Sequence, residues 1–353
     1  MKNLNTVNIS FIFAGCFLGA GFLSGNELKQ FFGNFGLAGI LGCAVAVAAI
    51  CLFGVMIIYI ARKKGTEKVE DIVLPWRSKG IGSVLGVFQC VLVFAIIVIM
   101  TSGAATLINE TLALPRYIAA ALFSLLLAVI TLTGIGGMAA FFSFLIPAIA
   151  VFSVALSIYV CAANGIPDIT AVEVNDTNPL LSHWALASLS YLSYSIFSSV
   201  GIISPLARRV RTNKTYISGL LLGGIILFVI AVAILLSVYA LGSGQIGELP
   251  MLSVARNVGG VIGAIYAALL LGGMFGAALT SMMSVSNYVT LKFKRARTWA
   301  VVLVLAALNF IGSLCGFGDL IGTVYPLYGY FGVIVLALIA VNFISTLKSK
   351  KSA

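Results

Sequence analysis

The chain has 353 residues, of which 61% are apolar and 9% charged, with 21 Lys and Arg against 10 Asp and Glu for a formal net charge of +11; its mean hydropathy is +1.14. Soluble domains run about 45–50% apolar and about 25% charged, so these proportions exclude a soluble globular domain, a long disordered tail and a nucleic-acid module. They describe an integral membrane protein whose excess of basic residues belongs to topology within the lipid bilayer.

Apolar runs set against Gly, Pro and charge punctuation predict ten spans, at residues 7–33, 37–61, 80–108, 117–134, 137–163, 184–206, 216–241, 261–290, 299–315 and 320–347. Each approaches the ~20 apolar residues a bilayer-crossing helix needs. The expected fold class is therefore all-α, a polytopic membrane protein forming one transmembrane domain over residues 1–353. A polar loop at 164–183 separates a first half, 7–163, from a second, 184–347, and each half holds five spans. With the dividing loop on the outside, the halves run in opposite directions through the membrane, which is the 5+5 inverted repeat typical of secondary transporters. The loops after the second, sixth and eighth spans, together with the two termini, hold 18 of the 21 basic residues, among them Arg62, Lys64, Arg208 and Arg295. Basic loops stay cytoplasmic, so both termini are expected there, and Glu110, Asp168, Glu173, Asp176 and Glu248 on the other side.

The first span carries Gly15, Gly19, Gly21 and Gly25 within eleven residues and no proline. Glycine costs about 1 kcal/mol against alanine inside a helix, so the span is expected to be interrupted near 19–24, freeing backbone groups at mid-membrane, where only a cavity or a ligand tolerates them. Close helix packing through small residues is the other use such glycines have. Glu27, the one acid well inside a span, costs about 2.5–3.5 kcal/mol to bury on insertion scales and is a functional candidate for that reason; a place in the outer vestibule or a pairing with Lys29 would be the ordinary alternative. At the equivalent position of the second half, the sixth span is unusually polar through six serines with Tyr191 and Tyr194, and is expected to be broken as the first is. Serines can also simply bond back to their own helix. In the eighth span Thr280, Ser281 and Ser284 fall on about one turn, a neutral oxygen set suited to a hard monovalent cation such as sodium. Asp319 is expected to cap the tenth span, and the segment 248–259 to form a short external helix over the vestibule.

Six isolated cysteines and a lone His183 leave no metal cluster and no disulfide framework to expect. The single lysine ahead of the first apolar run, without a small-residue cleavage pattern, does not read as a signal peptide. No intramembrane acid pair or Ser-Lys constellation points to an enzyme, and no ring of filter residues points to a channel.

Two segments carry a family resemblance. GAGFLSGNELKQFF in the first span resembles the GAGFASGQE-type signature of YkvI-like bacterial membrane proteins, and GDLIGTVYPLYGYFG in the last resembles their YPLFGY-type segment. The resemblance extends over nearly the whole chain. It implies the amino acid, polyamine and organocation superfamily, with the leucine-transporter fold and its broken first and sixth helices, in a bacterial cytoplasmic membrane. In sodium-coupled members of that fold one sodium is held by carbonyls just ahead of a G-x-G break in the first span and by an A-x-x-T-S stretch in the eighth. Carried over, these positions are Gly15 and Leu18, ahead of Gly19-Ala20-Gly21, and Ala277, Thr280 and Ser281. The second sodium site of neurotransmitter-type relatives needs an asparagine where this chain has Phe22, and the lysine of proton-coupled relatives is missing from 137–163. The expected function is transport of a small organic solute, a neutral amino acid ahead of an amine or nucleobase, with sodium as coupling ion, no other cofactor and no obligatory protein partner. Gly19, Ala20, Gly21, Ser24, Gly25 and Glu27 of the first span and Tyr191, Tyr194, Ser195 and Ser198 of the sixth would contact the solute.

Overall fold

The structure, a computed structural model, describes residues 5–76, 78–133, 138–171, 178–210, 212–242, 247–293 and 296–348. Lys2, Arg77, Arg211, Lys294, Arg295, Lys350, Lys351, Gly134, Gly137, Glu173 and Asp176, which entered the topology and the span limits, lie outside the described residues. The described residues form fifteen α-helices. The first span is divided among α1 (Thr6–Gly15), α2 (Ala20–Leu23) and α3 (Asn26–Phe31), and spans two to five are α4 (Gly36–Lys64), α6 (Lys79–Leu112), α7 (Arg116–Thr133) and α8 (Met138–Asn164), with a short α5 (Val69–Val73) between α4 and α6. The second half runs through α9 (Trp184–Ile203), α10 (Leu206–Arg209), α11 (Asn213–Leu241), α12 (Pro250–Val258), α13 (Gly260–Lys292), α14 (Thr298–Gly312) and α15 (Phe317–Lys348). Eight helical stretches are long and apolar enough to cross a membrane, and Thr6–Gly15 and Thr298–Gly312 are shorter apolar helices. Ten membrane elements result once the broken first span is counted as one.

Local chemistry sets the ends. Asn5 accepts from the Asn8 amide at 2.8 Å to start α1, and His183, the lone histidine, caps α9 by accepting from the Ala185 amide at 3.2 Å. Gly65 closes α4 in the left-handed conformation.

Packing follows the repeat. α1 lies on α11 as α9 lies on α4, α8 on α11 as α15 on α4, and α8 on α13 as α15 on α6. A proline stands inside each of the equivalent helices α8 and α15, at Pro147 and Pro326. Proline leaves the carbonyl one turn earlier without its amide donor, and the Gly322 carbonyl is taken up by the Asn178 side-chain amide at 2.6 Å. Two of these contacts depend on glycine. A Cβ on Gly223 of α11 would come 2.8 Å from the Ser10 carbonyl oxygen, and one on Gly332 of α15 would come 2.8 Å from the Ser193 backbone. α9 is the enclosed centre of the molecule: 72% of an 18-residue stretch is buried, against 28–50% in the other seven.

Candidate functional site

The first span is interrupted twice, on either side of the expected stretch. α1 stops at Gly15, α2 supplies one turn over residues 20–23, and Gly25, with φ of 82°, turns the chain through a left-handed conformation into α3. Only glycine adopts that conformation without strain. Among the described residues the carbonyls of Gly15, Cys16 and Leu18 receive no hydrogen bond, because Gly19 donates to Phe17 and Leu18 to Ala14. Gly15 is exposed and Gly19 half-buried, and a side chain at either would meet nothing within 4 Å. Packing glycines would have neighbours there. These two border open space.

The second interruption is closed over. Its Ser24 carbonyl accepts the Met251 amide at 2.9 Å, the Leu23 carbonyl accepts the Tyr266 hydroxyl at 2.7 Å, and the Asn26 side-chain amide donates to the Glu248 carbonyl at 2.6 Å. Met251 belongs to α12, the expected external helix. The Glu248 carboxylate gathers Arg116 at 2.9 Å, Thr106 at 3.3 Å and the Phe317 amide at 3.1 Å, and Arg256 pairs with Glu110 at 3.2 Å. α15 therefore starts on a carboxylate from another loop. Asp319, expected as its cap, stands inside the first turn, where the free amides still favour an acid. The second interruption is thus sealed by α12 and α13, while at the first Gly15 and Gly19 have open space where a side chain would stand.

Glu27 is in the first turn of α3 and only 6% exposed. Neither a vestibule position nor a pairing with Lys29 describes it. One carboxylate oxygen accepts the Tyr194 hydroxyl, and the other lies beside Gly21, 2.9 Å from where a Cβ would be. Aromatic rings close around it. Tyr194 stacks on Tyr325 at 4.7 Å, Tyr191 meets Tyr194 edge-on at 5.5 Å, and Phe31 is 5.5 Å from Tyr191 and 5.6 Å from Tyr194. Tyr325 and Phe31 were not among the expected site residues, although each lies in one of the two segments that carry the resemblance.

The sixth span corrects an expectation. α9 is unbroken from Trp184 to Ile203. The hydroxyls of Ser188, Ser193, Ser198 and Ser199 donate to carbonyls three or four residues earlier in the same helix, so the polar residues that suggested a break are satisfied within the helix, and no glycine stands between Trp184 and Val200. The chain leaves the helix only at Ser204 and Pro205, near its basic end. Tyr191, Tyr194 and Ser195 are buried and Ser198 is half-buried.

The expected sodium ligands divide into two groups. Gly15 and Leu18 offer the unpaired carbonyls described above. On α13 the Thr280 hydroxyl donates to the carbonyls of Gly276 at 3.0 Å and Ala277 at 3.1 Å, and Thr280 is exposed while Ala277 and Ser281 are half-buried. No hydrogen bond joins the two groups among the described residues. One turn beyond Thr280, Ser284 lines a cavity of about 280 Å³ between α5, α6 and α13, shared with Glu70, Gln89, Cys90 and Tyr288. Among the described residues no group of three His, Cys, Asp or Glu side chains could hold a metal ion.

No protein-family model matches the chain. It is 26% identical over 347 residues to the uncharacterized membrane protein YkvI of Bacillus subtilis (strain 168), covering 98% of this chain and 95% of that protein. The inward-facing structure of Mhp1 matches it with a TM-score of 0.67 at 10% identity, over 95% of this chain and 76% of that one. It has the leucine-transporter fold. The structure of MhsT in complex with L-phenylalanine agrees over 100% of both chains, with a TM-score of 0.61 at 16% identity. The resemblance to YkvI-like proteins and the ten-helix inverted repeat are borne out, and within this fold the interrupted first span and the Glu27 cluster lie between the two repeats.

Proposed function

We propose that the chain is a secondary active transporter that carries a small organic solute, a neutral amino acid, across a bacterial cytoplasmic membrane with both termini in the cytoplasm and sodium as the coupling ion. The observation that carries this reading is the first span, broken within the leucine-transporter fold, sealed by α12 at its second interruption and bordered by open space at Gly15 and Gly19 in its first. Alternating access needs a central break that can be closed from either side. Free amides at the start of α2 are available to a solute carboxylate. Among proteins of this fold, MhsT is in complex with L-phenylalanine and Mhp1 is a nucleobase-cation-symport-1 family transporter, which supports small organic solutes as the class.

Sodium coupling rests on oxygens alone. Gly15 and Leu18 supply carbonyls without donors, and Ala277, Thr280 and Ser281 supply a carbonyl and two hydroxyls, a neutral set with which a monovalent cation can replace much of its hydration shell. Ion and solute would both hold the first span, so each raises the affinity of the other by the same factor. The expected result is that replacing choline by sodium at constant ionic strength tightens binding of a neutral amino acid by about 5- to 150-fold, and that Thr280→Ala with Ser281→Ala removes this effect while the protein still folds. Calorimetric titration of the purified carrier is the measurement. Equal affinity in both salts removes sodium and leaves proton-coupled or uncoupled transport.

A further inference from the structure

We propose that Glu27 is the acceptor for a positively charged nitrogen on the solute, so that the carrier selects amino acids or amines over otherwise matched molecules lacking an ammonium group. The inference rests on the transporter reading and deepens it.

Three observations converge on the assignment. First, α9 gives a solute nothing from its backbone, since the helix is continuous; the hydroxyls of Ser188, Ser193, Ser198 and Ser199 are directed back onto its own carbonyls and that of Ser190 onto Pro326. The carbonyls of Leu23 and Ser24 in the first span are already occupied by Tyr266 and Met251. The unpaired carbonyls of the first span, at Gly15, Cys16 and Leu18, belong to its first interruption, so at the second interruption an ammonium group carrying three donors finds its acceptor among side chains. Second, Glu27 is a buried carboxylate with one donor, the Tyr194 hydroxyl, and the ion pairs among the described residues, Arg116 with Glu248, Arg208 with Glu67 and Arg256 with Glu110, all lie elsewhere. A buried carboxylate without a matching charge is strongly unfavourable. It is matched when a cationic ligand arrives. Third, the surroundings suit a cation. Tyr191, Tyr194, Tyr325 and Phe31 form one aromatic cluster, joined to the carboxylate through the Tyr194 hydroxyl, and aromatic rings attract ammonium groups.

The broken backbone adjoins the same residues. Gly21 has no side chain to stand between the second carboxylate oxygen and the broken backbone. Towards the amino end of the first span Gly19 is half-buried and Gly15 exposed, with Phe17, Leu18 and Ala20 buried between and beside them.

The test uses matched probes on the full-length carrier in detergent: L-alanine, L-leucine and L-phenylalanine, the amine that lacks each carboxylate, and the 2-hydroxy acid that replaces each ammonium. Binding is followed by thermal shift and titration. The parent is expected to bind at least one ammonium-bearing probe about 100-fold tighter than its 2-hydroxy counterpart, as sites built around a solute N–H reject analogues lacking it. Glu27→Gln is expected to reduce that preference to less than about 3-fold through a selective loss of affinity for the ammonium-bearing probe, whereas general damage to the site would weaken both probes and keep their ratio. Glu27→Asp, which keeps the charge, is expected to retain the preference with weaker binding and stands in should the Gln variant not fold. A preference that survives in Glu27→Gln overturns the assignment and leaves the carboxyl as a proton carrier or a latch for Tyr194. A parent that binds the acids without regard to their ammonium group overturns it while leaving the transporter reading intact, whereas a parent that binds none of the nine counts against the solute class itself and takes the assignment with it.

Discussion

The first and sixth spans hold equivalent places in the inverted repeat, yet one is cut into three pieces and the other is whole. Both are rich in residues that disfavour an ordinary apolar helix, but the two kinds act differently. Glycine removes side-chain contacts and admits left-handed backbone, so the deficit at Gly19 and Gly25 cannot be made good within the helix. Serine brings its own donor and satisfies itself on the preceding turn. The lesson is that the first span leaves backbone groups unpaired within its length where the unbroken sixth leaves none, and the sixth contributes side chains instead: Tyr194 on Glu27, and the hydroxyl of Ser190, which reaches the Pro326 carbonyl at 3.4 Å.

The contrast can be broken at three strengths. The largest effect is expected from Gly329→Val in α15, where even a Cβ would collide with the Ser190 hydroxyl and its carbonyl. Forcing α15 from α9 should cost about 3 kcal/mol or more and appear as a lowered midpoint in thermal unfolding of the solubilised protein. Next is Gly25→Ala, which places a side chain in left-handed backbone and within 3.2–3.3 Å of Met251, Ile234 and Pro250. A cost of about 2 kcal/mol is expected, and solute binding should suffer with it because the hinge between α2 and α3 is strained. The smallest is Ser198→Ala, expected to change stability by about 0.5 kcal/mol or less, since its hydroxyl serves only the Ser195 carbonyl of the same helix at 2.9 Å. A large loss there would show that α9 depends on its serines for more than self-satisfaction and would weaken the contrast.

Much of this architecture is written in local sequence. Every predicted span overlaps an observed helix or, for the first, a set of helices, because apolar length and terminal glycines or charges are local quantities. Segment 248–259 was recognisable for the same reason. The sixth span misled because a row of serines looks alike whether the hydroxyls turn inward to their own helix or outward to a ligand, and that choice is made by packing against α4 and α15. Glu27 was legible as an unusual acid. Its partner was not, since Tyr194 lies 167 residues away and Lys29, two residues away, looked the simpler companion. The prolines at 147 and 326 mark equivalent helices, but only the folded pairing of α8 and α15 reveals them as a trace of the repeat.

The closure over the second interruption has a consequence for how the protein is made. The carbonyls of Leu23 and Ser24 are answered by Tyr266 and by the Met251 backbone, and 243 residues separate Tyr266 from Leu23. In hydrocarbon each unanswered carbonyl costs several kcal/mol. The first span therefore leaves the ribosome as an unfinished element, with two one-turn helices too short to stand alone in lipid. It must wait at the membrane surface, or in the shelter of the insertion machinery, until α12 and α13 have been synthesised. A segment translated more than two hundred residues ahead of α12 and α13 is completed only after them.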